Sequence, residues 1–286
     1  MKKVVLAVIA TLLASVLCFA IVGCASPENV KVIDVKLTDE SYAYAVKEGN
    51  KELLDKVNEF MGKLKSSEGI DGVTLDSIVE KEGNGKLGDI GSVQTVSKDR
   101  SKELVVSTNA EFAPFEYMDG SKLAGIDMHV AKMMAEYMGK TLVVLNMNFD
   151  ASILAAADGS SDICMAGLTI SEERDKTLDF SVEYYQVTQK IAVKESDTTF
   201  DNCKTVEDVE KILKELTGKK AGAATAQTGY LYLVGDEGFG FTGFKNIDAK
   251  SYDSIGLAVK DLSNGKIDFV VADGTTLGLV VKGING

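Results

Sequence analysis

Residues 166–185, AGLTISEERDKTLDFSVEYY, constrain this chain more than any other stretch. The apolar residues 163–166 read as a buried strand running into Gly167, Leu168, Thr169 and Ile170. Ser171 then caps a short helix whose first turn holds Glu172, Glu173 and Arg174. A cation in that turn opposes the helix dipole by roughly 0.3–1 kcal/mol, so its presence calls for a local use that outweighs the cost. Backbone N–H groups, a threonine hydroxyl and a guanidinium fork converging on one small anion would be such a use, and a carboxylate fits them best. The plainer alternative is a surface arginine paired with Glu172 or Asp175.

The same stretch resembles the signature of family 3 of the extracellular solute-binding proteins, the amino-acid receptors of ABC-type importers. That signature runs A-G-(aliphatic)-T-I-(S/T)-x-x-R and then D-F-S-x-P-Y-Y. Gly167, Thr169, Arg174, Asp179, Phe180, Ser181, Tyr184 and Tyr185 fit it, while Glu183 stands where the family usually has proline. The resemblance implies an α/β fold of two lobes, the type II periplasmic-binding fold, with two crossover strands as its hinge. It also implies that Gly167, Thr169 and Arg174 hold a ligand's α-carboxylate.

Length and composition are compatible with this. A chain of 286 residues with 45% hydrophobic content can bury two medium cores. Residues 1–23 carry Lys2 and Lys3 and then an uninterrupted apolar run over 4–22, long enough to be an uncleaved membrane anchor. They read better as a lipoprotein signal peptide, because Ile21-Val22-Gly23-Cys24 resembles a lipobox with Cys24 at the lipidated position. Removing residues 1–23 leaves 29 cations against 43 acids, a net charge of −14 that opposes nucleic-acid binding. Cys164 and Cys203 are read as buried free thiols. The single histidine, His129, is expected at the surface of an amphipathic helix, and neither a metal nor a cofactor is expected.

The front of the chain is in an unexpected place. Residues 30–64, VKVIDVKLTDESYAYAVKEGNKELLDKVNEFMGKL, resemble the C-terminal end of family 3 proteins, where a last strand, a return crossover and closing helices lie. This implies a circular permutation, with residues 83–102 as a glycine-rich surface connector. On that reading residues 24–29 form a tether, and 30–39 with 190–286 form lobe 2. Residues 40–44 and 185–189 are the hinge, and 45–184 form lobe 1. The alternative is that the leading segment is an unrelated extra domain.

The remaining site residues follow from order and resemblance. A strand over 104–108 leads into Asn109 and the loop with Phe112, Pro114 and Phe115, and Phe149 sits in a loop after the next strand. The family's rings at the positions of Phe112 and Phe149 line the side-chain pocket. Ala226-Gln227-Thr228-Gly229 resembles the family's G-T-T-G loop, so Gln227 and Thr228 approach from lobe 2. A strand over 267–272 delivers Asp273 at its carboxyl end, where open α/β sheets place ligand residues. The resemblance gives Asp273 the ligand's α-ammonium, whereas local sequence allows it to cap the next helix.

The implied protein is a monomeric, lipid-anchored receptor that closes on a free amino acid and presents it to an importer permease. Asn109 stands where members that bind basic amino acids carry aspartate, and Glu111 is expected to face water. Both point to a polar-neutral or apolar ligand. Two rivals are a dehydratase of the same fold, with Glu111 as the available acid, and a surface adhesin or sensor input.

Overall fold

The computed structural model describes residues 27–286, so Cys24, the lipobox and the apolar leader lie outside the described residues. Three short strands open the chain: β1 (Val30–Val32), β2 (Glu40–Tyr42) and β3 (Ala45–Lys47). Asn50 caps helix α1 (Lys51–Leu64) through a bond from the Leu53 N–H, and the helix buries Val57, Phe60, Met61 and Leu64 along one face. Thr74 and Ser77 form a reciprocal capping box at the start of α2 (Leu75–Gly83).

The first lobe is then built on β4 (Glu103–Thr108), whose every residue is buried, as suits a parallel strand covered on both faces. A three-stranded sheet of β5 (Glu111–Phe112), β6 (Glu116–Asp119) and β7 (Lys122–Ala124) precedes α3 (Ile126–Tyr137). Met128 and Met134 of α3 are fully buried core residues. There follow β8 (Thr141–Asn146), α4 (Phe149–Asp158), β9 (Ile163–Cys164) and β10 (Leu178–Phe180), which complete a sheet of order β10-β3-β9-β4-β8.

Two strands, β11 (Tyr185–Val187) and β12 (Gln189–Lys194), lead into the second lobe. Its other elements are α5 (Val206–Glu215), β13 (Lys220–Ala224), α6 (Thr228–Val234), β14 (Asp248–Tyr252), α7 (Ile255–Ser263), β15 (Phe269–Asp273) and α8 (Gly274–Asn285), and its sheet runs β1-β12-β15-β13-β14. β2 pairs antiparallel with β11, with Tyr42 opposite Tyr185, in a separate two-stranded ribbon between the lobes.

The leading segment is therefore woven into both sheets. β1 pairs with β12 in one, and β3 lies between β10 and β9 in the other. It does not stand apart as a domain of its own. Local details differ from the sequence reading at three places. Phe149 is the first residue of α4, not part of a loop. In place of a helix capped by Ser171 there is a 3-10 turn, Arg174–Lys176, whose N-cap is Glu173, and Ser171 Oγ accepts the Arg174 N–H at 3.3 Å. His129 is half-buried, with Nδ1 3.1 Å from the Gly125 carbonyl.

The connector also departs from a plain surface loop. Ile90 is 3% exposed within the first lobe's core, and Gln94 bridges to Val143, where its carbonyl accepts the Val144 N–H at 2.9 Å. Lys98 and Asp99 donate backbone N–H groups to the Glu103 carboxylate at 3.0–3.1 Å, which closes the strap onto the start of β4. Glycine content conceals one well-placed anchor here. Replacing a buried isoleucine by alanine costs about 2–5 kcal/mol. We expect Ile90→Ala to lower unfolding free energy by that amount in urea titrations, and a loss under about 0.5 kcal/mol would mean that the strap is a passive link.

Candidate functional site

The parallel strands of both sheets end at the gap between the lobes, so their carboxyl ends deliver side chains to one place. β4 leads to Asn109 and Phe112, β8 to Phe149, β9 to Gly167 and Thr169, β13 to Gln227 and Thr228, and β15 ends on Asp273. The ribbon adds Tyr42, and the first residue of β12 adds Gln189. A cavity of about 10 Å³ is lined by Tyr42, Phe112, Phe149, Ala166, Gly167, Thr169, Gln189, Gln227, Thr228 and Asp273. That volume admits about one water. A wider hollow of about 670 Å³ shares Thr169 and is bounded by Glu40 and Phe239, and one of about 550 Å³ is bounded by Asn109, Glu111 and Thr276.

Arg174 is 8% exposed and, among the described residues, has no carboxylate within ion-pairing distance. Its Nη1 donates to the Thr169 carbonyl at 2.8 Å and its Nη2 to the Ala226 carbonyl of the other lobe at 3.4 Å. The rings of Phe149 and Phe239 lie 5.4 and 5.0 Å from the guanidinium carbon. Burial lowers its pKa to about 10, which leaves it charged at neutral pH. Carbonyls and aromatic faces solvate the cation, and the Glu40 carboxylate, beyond ion-pairing distance, favours its charged form, so a small anion placed at the guanidinium would be stabilised.

Asp273 caps the next helix and still turns its second oxygen to the cavity. Its Oδ1 accepts the Thr276 N–H at 2.8 Å and caps α8, while Oδ2 accepts the Tyr42 hydroxyl at 2.8 Å. Burial, opposed by those donors, pushes its pKa up to about 6. Tyr42 was silent in the sequence because a tyrosine in an alternating strand looks like core.

Thr169 Oγ1 donates to Glu40 at 2.8 Å and accepts from Thr228 Oγ1 across the lobes at 3.2 Å. Glu40 also accepts from Thr38 Oγ1 at 2.5 Å and Gln189 Nε2 at 3.1 Å. An acid in a polar run, TDES, gave no signal that it would be buried.

Gly167 lines the cavity, but its N–H is already donated to Asp127 Oδ2 at 3.1 Å. Its φ is +54°, and an added Cβ would lie 2.6 Å from the Phe112 ring, so glycine is needed for backbone shape and for close approach. Beneath it, Asp127 accepts from Tyr44 and Tyr184 at 3.3 and 2.9 Å, and burial raises its pKa to about 6. Glu116, fully buried beside it, is held well above the usual carboxyl range by burial and then by the Asp127 charge, so it is neutral. Asn109 points elsewhere, donating to the Met147 carbonyl at 3.0 Å in the hollow shared with the exposed Glu111. Cys164 and Cys203 are free and buried.

Two α/β lobes joined by paired strands, with a charged cavity between the strand ends, define a two-lobed solute-binding fold. The family described as bacterial extracellular solute-binding proteins, family 3, matches residues 104–228. A probable histidine-binding protein of Neisseria gonorrhoeae is 29% identical over 181 residues, covering 62% of this chain and 61% of the relative. The arginine-binding extracellular protein ArtP of Bacillus subtilis is 33% identical over 132 residues, covering 46% of this chain and 48% of that one. The solved structure of an ancestral arginine-binding protein bound to arginine superposes with a TM-score of 0.53 at 32% identity, covering 64% of this chain and 74% of that one. The chain belongs to family 3 of the bacterial extracellular solute-binding proteins.

The elevated Asp273 pKa has a consequence for recognition. An ammonium received at Asp273 would stabilise its ionised form, so such binding below about pH 6 would release a proton and weaken as pH falls. We expect amino-acid affinity to be flat from about pH 8 to 6.5 and to fall by up to about ten-fold per pH unit below 6. Asp127 titrates in the same range, so the Asp273→Asn variant isolates the cause by losing this slope. Calorimetry in two buffers of different ionisation enthalpy reads the proton release, and a flat profile to pH 5 would remove Asp273 ionisation from binding.

Proposed function

We propose that this protein captures a free α-amino acid by closure of its two lobes and delivers it to an ABC-type importer. The observation that carries this reading is the buried guanidinium of Arg174, with no carboxylate in ion-pairing distance among the described residues, bonded to the carbonyl of Thr169, a residue that lines one small cavity with the buried acid Asp273. A carboxylate and an ammonium on one carbon satisfy both charges at once, and each would be costly to bury alone. Arg174 and Thr169 take the carboxylate, Asp273 takes the ammonium, and Gln227 and Thr228 close over it. Phe112 and Phe149 face the side chain. The names of the relatives, for histidine and arginine, support an amino-acid ligand.

Closure is the signal in this scheme. The carboxylate groups lie mainly on the first lobe and Asp273 on the second, so ligand stabilises the closed arrangement over the open one. The protein acts as a monomer anchored outside the cytoplasm by lipid at Cys24. Its leading segment takes the place of the family's C-terminal portion, a circular permutation in which β1 and β3 complete the two sheets.

Truncating Arg174 to alanine strands the ligand carboxylate in a desolvated site. We expect Arg174→Ala to weaken binding of whichever of the standard amino acids raises the melting temperature most, by roughly 2–5 kcal/mol in calorimetry. Unchanged affinity would place the carboxylate elsewhere, and no melting shift with any amino acid would remove this function.

A further inference from the structure

We infer that Gln189 is a further ligand-binding residue, accepting a hydrogen bond from the ligand's α-ammonium beside Asp273, and that Glu40 positions it. The inference rests on the amino-acid reading of the cleft. Gln189 is 3% exposed and lines the small cavity, and its Oε1 has no hydrogen-bond donor. The amide orientation is determined by chemistry: Glu40 Oε1 lies 3.1 Å from Gln189 Nε2, and a carboxylate can only accept, so the NH₂ faces Glu40 and the oxygen faces away.

That oxygen is placed where an ammonium would be. Gln189 is the direct cross-strand partner of Asp273, so the two acceptors stand side by side at the end of the sheet. Gly229 leaves room for the amide, since a Cβ there would come within 3.0 Å of Oε1 and 2.5 Å of the Val271 carbonyl. The hydroxyls nearby are committed, Thr228 to Thr169 and Thr169 to Glu40. An ammonium has three N–H groups, and Asp273 already accepts from Tyr42 and from the Thr276 backbone. A second acceptor is needed to satisfy the ligand, and a donor is needed to satisfy Gln189.

Glu40 thereby acts through Gln189 without touching the ammonium itself. It also ties the ribbon to both lobes, through Thr169 on one side and Gln189 on the other. A carboxylate at this point keeps the amide from turning over, which a neutral residue would allow.

The test uses L-arginine and 5-guanidinopentanoic acid, the same molecule without its α-ammonium, titrated calorimetrically into the purified protein. Gln189→Met is expected to weaken L-arginine by about ten- to hundred-fold and the deamino acid by less than about three-fold. Glu40→Gln is expected to give a smaller loss with the same selectivity for the ammonium-bearing probe. Gln189→Asn, an amide too short to span from Glu40 to the cavity, serves if Gln189→Met melts below the assay temperature. Equal losses for both probes would reduce Gln189 to a structural role and overturn the inference while leaving the cleft's function intact. If wild-type protein ignores L-arginine, L-histidine and L-glutamine with their deamino acids replace it. If none of the three binds, the standard amino acid that raises the melting temperature most is used with its deamino acid, and failure of every standard amino acid to bind would overturn the reading of the cleft together with the inference.

Discussion

A buried guanidinium with no carboxylate in ion-pairing distance among the described residues is the constraint on which the rest of the cleft depends. The idealised cost of burying such an ion is of order 20 kcal/mol and remains several kcal/mol after relaxation. Around Arg174 that cost is offset by carbonyls from both lobes and by two aromatic faces, Phe149 from the first lobe and Phe239 from the second. These contacts keep the guanidinium in one orientation and leave the charge available. Phe239 reaches it from the loop after α6, where Gly238 sits so close to Glu173 that an added Cβ would lie 2.5 Å from the Glu173 side chain. Recognition of a carboxylate and approach of the lobes are thus parts of one arrangement.

The acids near the cavity are placed with the same economy. Asp273 and Glu40 are each held by hydroxyl or amide donors, and Asp127 is held by two tyrosines and the Gly167 N–H. Glu116, which lacks such donors, keeps its proton. Burial raises the pKa of Asp273, Asp127 and Glu116, and donors oppose that rise at the first two. With the lobes together, several polar groups pair with one another: Tyr42 with Asp273, Thr228 with Thr169, and the Gln189 NH₂ with Glu40. Any ligand entering between the lobes would have to replace these bonds, and charge-assisted ones are the strongest replacement.

The hinge ribbon makes this coupling direct. β2 is only three residues long, yet Glu40 and Tyr42 project from it into the groups that bind, while Ser41 between them faces outward to Gln186. Movement of the ribbon and rearrangement of the site are therefore one event. The leading segment that carries β2 also supplies a strand to each lobe, so the hinge, the sheets and the site share a single stretch of chain.

Sequence alone was enough for the features that are local or written in a contiguous motif. Strand and helix positions followed from apolar period and capping residues, as at Asn50, Thr74 and Thr205, because those bonds close within one turn. The run from Gly167 to Tyr185 pointed to one wall of the cleft, since its glycine, threonine and arginine lie within a few residues of one another. Tertiary structure alone decided the other half. Glu40, Tyr42, Gln189 and Phe239 have ordinary local patterns, and their roles come from partners that are 129 to 231 residues away in three cases, Thr169, Asp273 and Glu40, and in the fourth from Arg174 in the opposite lobe. The burial of Ile90 in a glycine-rich strap is of the same kind. Periodicity and spacing report what a segment does with its own neighbours, whereas the desolvation of a charge and the identity of its partner depend on which distant surfaces meet.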